Sequence, residues 1–146
     1  MGSNPTEILK DGTKVWRNEN GQFHREDGPA VIYPNGDKFW CINDQYHRED
    51  GPAIIYENGT QIWWINGKLN REDGPAIIYF DGPKEWWVNG KRHRLDGPAI
   101  DTYWYIHDND VTKQITKWAK ERDIDLNNLT DEDKMIIQLE WGNYGK

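Results

Sequence analysis

A block of seven residues recurs four times in this chain, always 23 residues apart, and this repetition constrains the fold more than any other feature. The block reads His-Arg-Glu-Asp-Gly-Pro-Ala from His24 and again from His47. The third copy begins with Asn70 instead of His, and the fourth copy, from His93, has Leu95 in place of Glu. A repeat period of roughly 20–50 residues is typical of arrays in which each unit is one supersecondary motif packed against its neighbours.

A second recurring element lies between the blocks and predicts β-hairpins. It reads Asn-Gly or Asp-Gly, three variable residues and then Trp, as from Asn58 to Trp63. Asn and Gly tolerate the positive φ that tight hairpin turns need, and short β-branched or aromatic runs flank the turn. A further turn follows the Trp, as at Asn66-Gly67. The Asp-Gly-Pro of each block then breaks the chain, because Pro has no amide hydrogen and restricts the residue before it.

These patterns predict a mainly β fold in three parts. Residues 1–7 are expected to form an N-terminal tail, and residues 8–105 to form four β-hairpin units of 23 residues arranged as an antiparallel meander sheet. Residues 106–146 are expected to form a C-terminal helical hairpin, with helices at about 110–122 and 130–141. Because the ends of a repeat array must be covered, we expect this hairpin to cap the sheet. The alternative, that the hairpin is itself the binding element, stays open.

Apolar faces indicate the two helices of this hairpin. One face of the first helix carries Val111, Ile115, Trp118 and Ala119. The second helix is expected to start at Thr130, which has the spacing of a capping box with Asp133. Its expected apolar face comprises Met135, Ile136, Leu139 and Trp141. We predict that Trp118 and Leu139 dock on the last repeat.

The hairpin unit, with Gly and an aromatic residue at fixed offsets, resembles the MORN-repeat class over about residues 8–103. It is more similar to the His-Arg-x-Asp-Gly-Pro-Ala repeats of uncharacterised bacteriophage and large-DNA-virus proteins, and loosely similar to MORN-type antitoxins. It departs from ordinary MORN units, which lack this block and have Gly after their aromatic positions. MORN arrays generally serve as scaffolds and protein-binding surfaces. The resemblance therefore implies a phage or viral protein that binds a host protein, for example in host defence, and inhibits or redirects it.

Charge and cysteine content limit the expected partners and location. The net charge is -7, and the chain lacks the basic stripe that phosphate backbones require, so neither nucleic acid nor an anionic membrane is expected as a partner. Cys41 is the single cysteine, and the chain has no long apolar run, so a reducing cytoplasm, that of the host if the protein is viral, is the expected location. No cofactor is indicated, and the sequence does not specify the oligomeric state.

The charged residues of the blocks are explained more simply by structure than by catalysis. An active site needs one constellation at one place, whereas this chain repeats the same residues four times. We expect each Arg to pair with a carboxylate of its own or a neighbouring corner, and each Asp to accept hydrogen bonds from the backbone of the turn. These structural corners comprise Arg25, Asp27, Arg48, Asp50, Arg71, Asp73, Arg94 and Asp96. A metal site is not expected, because Asn70 interrupts the column of His and is a poor ligand for zinc or copper.

The Trp residues are the main candidates for recognition. Four of them recur at one position and predict a shared core column: Trp16, Trp40, Trp63 and Trp86. Neighbours in a strand face opposite sides, so Trp64 and Trp87, which follow the last two, must point away from that column. We predict that these two form a protein-binding surface with a basic rim of Lys91, Arg92 and His93. Two alternatives stay open: packing of both Trp under the helical tail, and an aromatic cage for a small ligand or carbohydrate.

Overall fold

The computed structural model describes residues 3–146, so Met1 and Gly2 of the predicted tail lie outside it. Within this range, short strands of two residues precede two helices. In chain order the elements are β1 (Glu7–Ile8), β2 (Lys14–Val15), β3 (Val31–Ile32), β4 (Lys38–Phe39), β5 (Cys41–Ile42), β6 (Gln45–Tyr46), β7 (Ile54–Ile55), β8 (Gln61–Ile62), β9 (Trp64–Ile65), β10 (Lys68–Leu69), β11 (Ile77–Ile78), β12 (Lys84–Glu85), β13 (Trp87–Val88), β14 (Lys91–Arg92), β15 (Tyr105–Ile106), β16 (Asn109–Asp110), α1 (Thr112–Glu121) and α2 (Asp131–Trp141).

The first hairpin of each of the four predicted units contributes two strands to one antiparallel sheet. Its strand order is β1-β2-β3-β4-β7-β8-β11-β12, so each hairpin lies beside the hairpin of the next unit. The turns form as the Asn-Gly and Asp-Gly pairs predict: Gly36 and Gly59 have φ of 101° and 95°, which L-residues rarely adopt. The prediction of a mainly β meander of hairpins followed by a helical hairpin is confirmed.

The second hairpins of the second, third and fourth units form separate two-stranded ladders, namely β5–β6, β9–β10 and β13–β14. That of the first unit forms an isolated bridge between Arg17 and Phe23. Backbone hydrogen bonds join these ladders in sequence: for example, the amide of Gly67 donates to the carbonyl of Tyr46 at 3.0 Å, and that of Gly90 to the carbonyl of Leu69 at 2.8 Å. The ring of Tyr46 also contacts Phe39 of the main sheet, with centroids 5.9 Å apart. The second hairpins therefore form a row beneath one face of the main sheet.

A fifth, shortened unit follows the four predicted ones. Strands β15 and β16 form its second hairpin, but Trp104 follows Ala99 after only five positions, whereas Trp86 follows Ala76 after ten. Its turn uses His107 and Asp108, with φ of 48° and 69°, instead of Asn-Gly. The boundaries predicted after residues 7 and 105 fall inside β1 and β15, so paired strands extend from Glu7 to Asp110.

The helical hairpin packs against this fifth unit. The buried cluster between them comprises Trp104, Ile106, Val111, Ile115, Trp118, Ala119, Ile137 and Trp141. The capping box of Thr130 and Asp133 is present as predicted, and Trp118 is buried. The prediction that Leu139 docks is wrong: Leu139 is 76% and Met135 63% exposed, because α2 turns the face of Ile137 and Trp141 inward. Among residues 3–146, no helix is long and apolar enough to cross a membrane.

Candidate functional site

Each corner is held together by its own Arg. The Arg Nε donates to Asp Oδ1 of the same block, at 2.7 Å for Arg48 to Asp50 and 2.8 Å for Arg71 to Asp73. The Nη1 of Arg48 also donates to the carbonyl oxygen of Pro52 at 3.1 Å. The same two bonds occur in the first and fourth corners. Each Arg therefore pairs with the carboxylate of its own corner and not with that of a neighbouring corner.

The Asp side chains differ from the expected Asx turns. Their Oδ1 atoms accept from the Arg side chain rather than from the backbone of the turn, because the guanidinium lies over the turn. This hydrogen bond from the Arg is the main reason why the pKa of Asp27, Asp50 and Asp73 lies below its ordinary value.

Each guanidinium is stacked between an indole and a glycine. The guanidinium carbon of Arg48 lies 4.1 Å from the ring centroid of Trp40, and that of Arg94 lies 3.8 Å from Trp86. The Trp16 and Trp63 rings are covered in the same way, each at 4.1 Å. On the other side, a Cβ added to the Gly of Asp-Gly-Pro would lie 2.6–3.0 Å from the guanidinium carbon. The four Trp thus occupy equivalent positions, but Trp40, Trp63 and Trp86 are only half-buried, and an Arg covers one face of each.

Three equivalent clefts lie between consecutive corners. The first cleft lies between the corners of Arg25 and Arg48 and has a volume of about 880 Å³. The second, of about 610 Å³, is bounded by the corners of Arg48 and Arg71, and the third, of about 690 Å³, by those of Arg71 and Arg94. The half-buried indoles that line them are, in order, Trp40, Trp63 and Trp86.

The charge of the clefts changes along the row. The first and second clefts are each lined by four carboxylates and two guanidinium groups; the acidic residues are Glu26, Asp27, Glu49, Asp50, Glu72 and Asp73. Glu26 and Glu49 are 86% and 84% exposed at their side chains. The third cleft keeps Glu72 from its first corner, but its second corner has Leu95 at the position of the Glu. Lys134 and Gln138 of α2 complete the lining. The row is therefore acidic over two clefts and close to neutral in the third.

The His column of the blocks holds the second hairpins in place. Nδ1 of His47 accepts a hydrogen bond from the amide of Asn66 at 3.1 Å, and Oδ1 of Asn70 accepts the equivalent bond from Asn89 at 2.9 Å. His24 and His93 accept in the same way from the hairpin turns that follow them. Since an imidazole nitrogen and an amide oxygen are both acceptors, Asn can stand in this column without loss of the bond.

The two Trp of the predicted surface contact different parts of the fold, Trp64 the preceding second hairpin and Trp87 the main sheet. Trp64 is half-buried with its ring centroid 5.5 Å from that of Tyr46, and its Nε1 is buried without a hydrogen-bond partner among residues 3–146. Trp87 is also half-buried, and its Nε1 donates to Glu85 of the main sheet at 2.8 Å. Neither is part of the cluster beneath the helical hairpin, where the alternative placed them.

Two of the three predicted rim residues bind the fifth unit. Arg92 donates to Asp108 at 2.6 Å and its guanidinium stacks over Tyr105 at 4.1 Å. His93 stacks on His107 with centroids 4.3 Å apart, and burial, together with the neighbouring charges, lowers its pKa to about 4. Lys91 alone of the three remains exposed.

Comparison with protein-family models, with curated proteins and with solved structures finds no match to this chain. The similarity to MORN-type and viral repeats stays a prediction.

The sequence reasoning treated the corners as structural and missed the clefts that they frame. The signal was the Glu between Arg and Asp in the first three blocks, at Glu26, Glu49 and Glu72. Its side chain is exposed in each case and takes no part in the Arg–Asp pairing. Glu26 and Glu49 lie 3.8 and 3.7 Å from Nε2 of His24 and His47, a distant contact that leaves both carboxylates open to solvent. A charged residue repeated at an exposed position indicates a role at the surface.

Proposed function

We propose that this chain is a non-enzymatic protein-binding module that holds an extended segment of a partner protein along its row of clefts. The observation that carries the proposal is the repetition of one cleft at successive units, each lined by a half-buried indole between exposed carboxylates. Repeat arrays characteristically bind along extended surfaces, and Trp is enriched among the residues that dominate interface energies.

Repetition favours recognition over catalysis. A catalytic centre is one constellation, whereas these three clefts offer nearly the same groups three times. The Arg and Asp that would attract attention as catalytic groups are also bound to each other in every corner. The groups left for a ligand are the indole and the exposed Glu, which suit binding.

The small-ligand alternative is less well supported. An aromatic cage needs rings that converge on an open space, and Trp64 is the first candidate for such a cage. Its neighbour Tyr46 lies at 5.5 Å, which is direct ring contact and leaves no room for a ligand between the two.

The partner and setting follow from the resemblance stated above. We expect a host protein, which the module would inhibit or redirect. We expect the reducing host cytoplasm as the setting, because the only cysteine, Cys41, is a buried free thiol.

Site-specific photo-crosslinking tests the proposal. A photoreactive residue would replace Glu49 between the first and second clefts, Lys91 beside the predicted Trp64 surface, or Glu57 at the tip of the β7–β8 hairpin. In lysate of cells that naturally contain the protein, we expect one discrete adduct from the Glu49 position and none from Glu57. An adduct from Lys91 alone would move the site to the Trp64 and Trp87 surface, and equal labelling at all three positions would refute a defined site.

A further inference from the structure

The spacing of the clefts is set by the main sheet. Each unit contributes one hairpin, such as β7–β8 or β11–β12, so equivalent points of consecutive units are two strands apart. Neighbouring strands lie about 4.7–4.9 Å apart, which places consecutive clefts about 9.4–9.8 Å apart. A segment that occupies more than one cleft must therefore present equivalent side chains at about this interval.

One regular backbone conformation matches this interval. A polyproline II helix has three residues per turn and rises about 3.1 Å per residue, so residues i and i+3 point the same way about 9.3 Å apart. A β-strand repeats its facing every second residue, at about 6.6–6.8 Å, and therefore falls out of step with the clefts. An α-helix returns to nearly the same face after seven residues, about 10.5 Å, and leaves an error that grows at each cleft.

The lining of the clefts suits the same conformation. Proline-rich segments dock into grooves lined by aromatic side chains, and their backbone is already ordered before binding. Trp40, Trp63 and Trp86 supply one half-buried indole per cleft. The Arg stacked on each indole fixes its orientation, so the row is rigid as well as regular.

The charges specify the side chains of the segment. An excess of carboxylates in the first and second clefts favours a cation in each, whereas Lys134 opposes a cation in the third. We propose that the three clefts bind a proline-rich segment in polyproline II conformation with Arg or Lys at every third position, two such residues entering the first and second clefts. This inference rests on the proposed function and names the chemistry of its partner.

The test uses synthetic peptides and the full chain. The probe has four Pro-Pro-Arg triplets; one control has the same composition with the Arg clustered at one end, and a second replaces every Pro by Gly. Fluorescence anisotropy of labelled peptides at fixed salt gives each Kd. We expect the evenly spaced probe to bind more tightly than the clustered control by up to about fivefold, the factor that corresponds to about 1 kcal/mol for one exposed ion pair lost from the complex. The glycine peptide should be weaker again, because it must be ordered on binding.

Substitutions in the protein test whether the peptide binds in the clefts. Glu49→Lys changes a highly exposed side chain that lines both acidic clefts, and should weaken binding of the probe about tenfold or more. Glu57→Lys makes the same charge change at a hairpin tip and should alter the Kd by less than about twofold. Lys134→Gln removes the opposing cation of the third cleft and should tighten binding by about twofold or more, a gain that partial unfolding would not produce.

Three outcomes would overturn the inference: equal affinity for spaced and clustered Arg, equal affinity for the proline and glycine peptides, or no effect of Glu49→Lys. If the proline-rich peptides do not bind while the Glu49 crosslink still captures a partner, the polyproline II inference is refuted and the proposed function stands. If no crosslink formed at Glu49, the proposed function would fall whatever the peptides do.

Discussion

The glycine of each corner should be replaceable only when its arginine is absent. Gly97 has no positive φ, so Ala is acceptable to its backbone, but the added Cβ would lie 2.6 Å from the guanidinium carbon of Arg94. Arg94 cannot retreat, because the ring of Trp86 lies 3.8 Å away on its other face. Gly97→Ala should therefore expel the guanidinium from its place between the two.

The magnitude follows from the contacts that Arg94 would lose. A cation–π contact contributes about 0.5–2 kcal/mol, depending on burial, and a hydrogen bond such as that to the carbonyl of Pro98 about 0.5–1.5 kcal/mol. The lower entropy of the unfolded Ala chain offsets about 0.4–1 kcal/mol of this. We expect a net loss of about 1–2 kcal/mol, or a fall in Tm of several degrees.

The assay is urea unfolding followed by Trp fluorescence in a double-mutant cycle with Arg94→Ala. In the Arg94→Ala background the cause of the strain is gone, and Gly97→Ala should be neutral or stabilise by up to about 1 kcal/mol. The decisive result is that the effect of Gly97→Ala on the free energy of unfolding changes sign when Arg94 is removed. If Gly97→Ala costs the same with and without Arg94, the stack between indole and glycine is not what requires glycine here.

Three further predictions concern the junction and the cap. Because the pKa of His93 is lowered to about 4 in the folded protein, its imidazole is protonated more readily in the unfolded chain, and the free energy of unfolding should fall as pH decreases from about 6.5 towards 4. The variant His93→Asn keeps a hydrogen-bond acceptor at this position, as Asn70 does, and should flatten this part of the pH profile. Deleting residues 108–146 removes the helical side of the buried cluster and uncovers Trp104 and Ile106, so it should lower the Tm and increase binding of a hydrophobic dye. Replacing Met135 and Leu139 together by Lys should change the unfolding free energy by less than about 1 kcal/mol in a urea titration, because both are exposed; a larger loss would mean that this face of α2 is covered.

The sequence was most informative where a local rule repeats. The four Asn-Gly or Asp-Gly turns and the Asp-Gly-Pro corners imposed the meander, since turn chemistry acts within a few residues. The fifth unit escaped notice because its shortened connection breaks the period and His107-Asp108 replaces the usual turn. The rim of Lys91, Arg92 and His93 was therefore predicted without the unit to which Arg92 and His93 are hydrogen-bonded.

Other features depend on distances that a sequence does not show. The sequence shows that an Arg follows each repeated Trp, eight residues later in the second to fourth units, as from Trp63 to Arg71. The stacking of one on the other depends on how the corner folds back. The choice between Leu139 and Ile137 as the docked residue of α2 likewise depends on the surface that the helix meets. Clefts between units arise only from the assembled array.

Among residues 3–146, the backbone hydrogen bonds between repeat units join only neighbouring units. The amide of Arg48 donates to the carbonyl of Trp64, and that of Arg71 to the carbonyl of Trp87, so the same bond recurs at successive junctions. Inserting or deleting 23 residues should therefore give a chain that still folds, with one cleft more or fewer and the same interval between clefts. Duplication of one unit would add one cleft to the array. The length of the segment that the array binds can therefore change during evolution, while each cleft keeps the same contacts with its part of the segment.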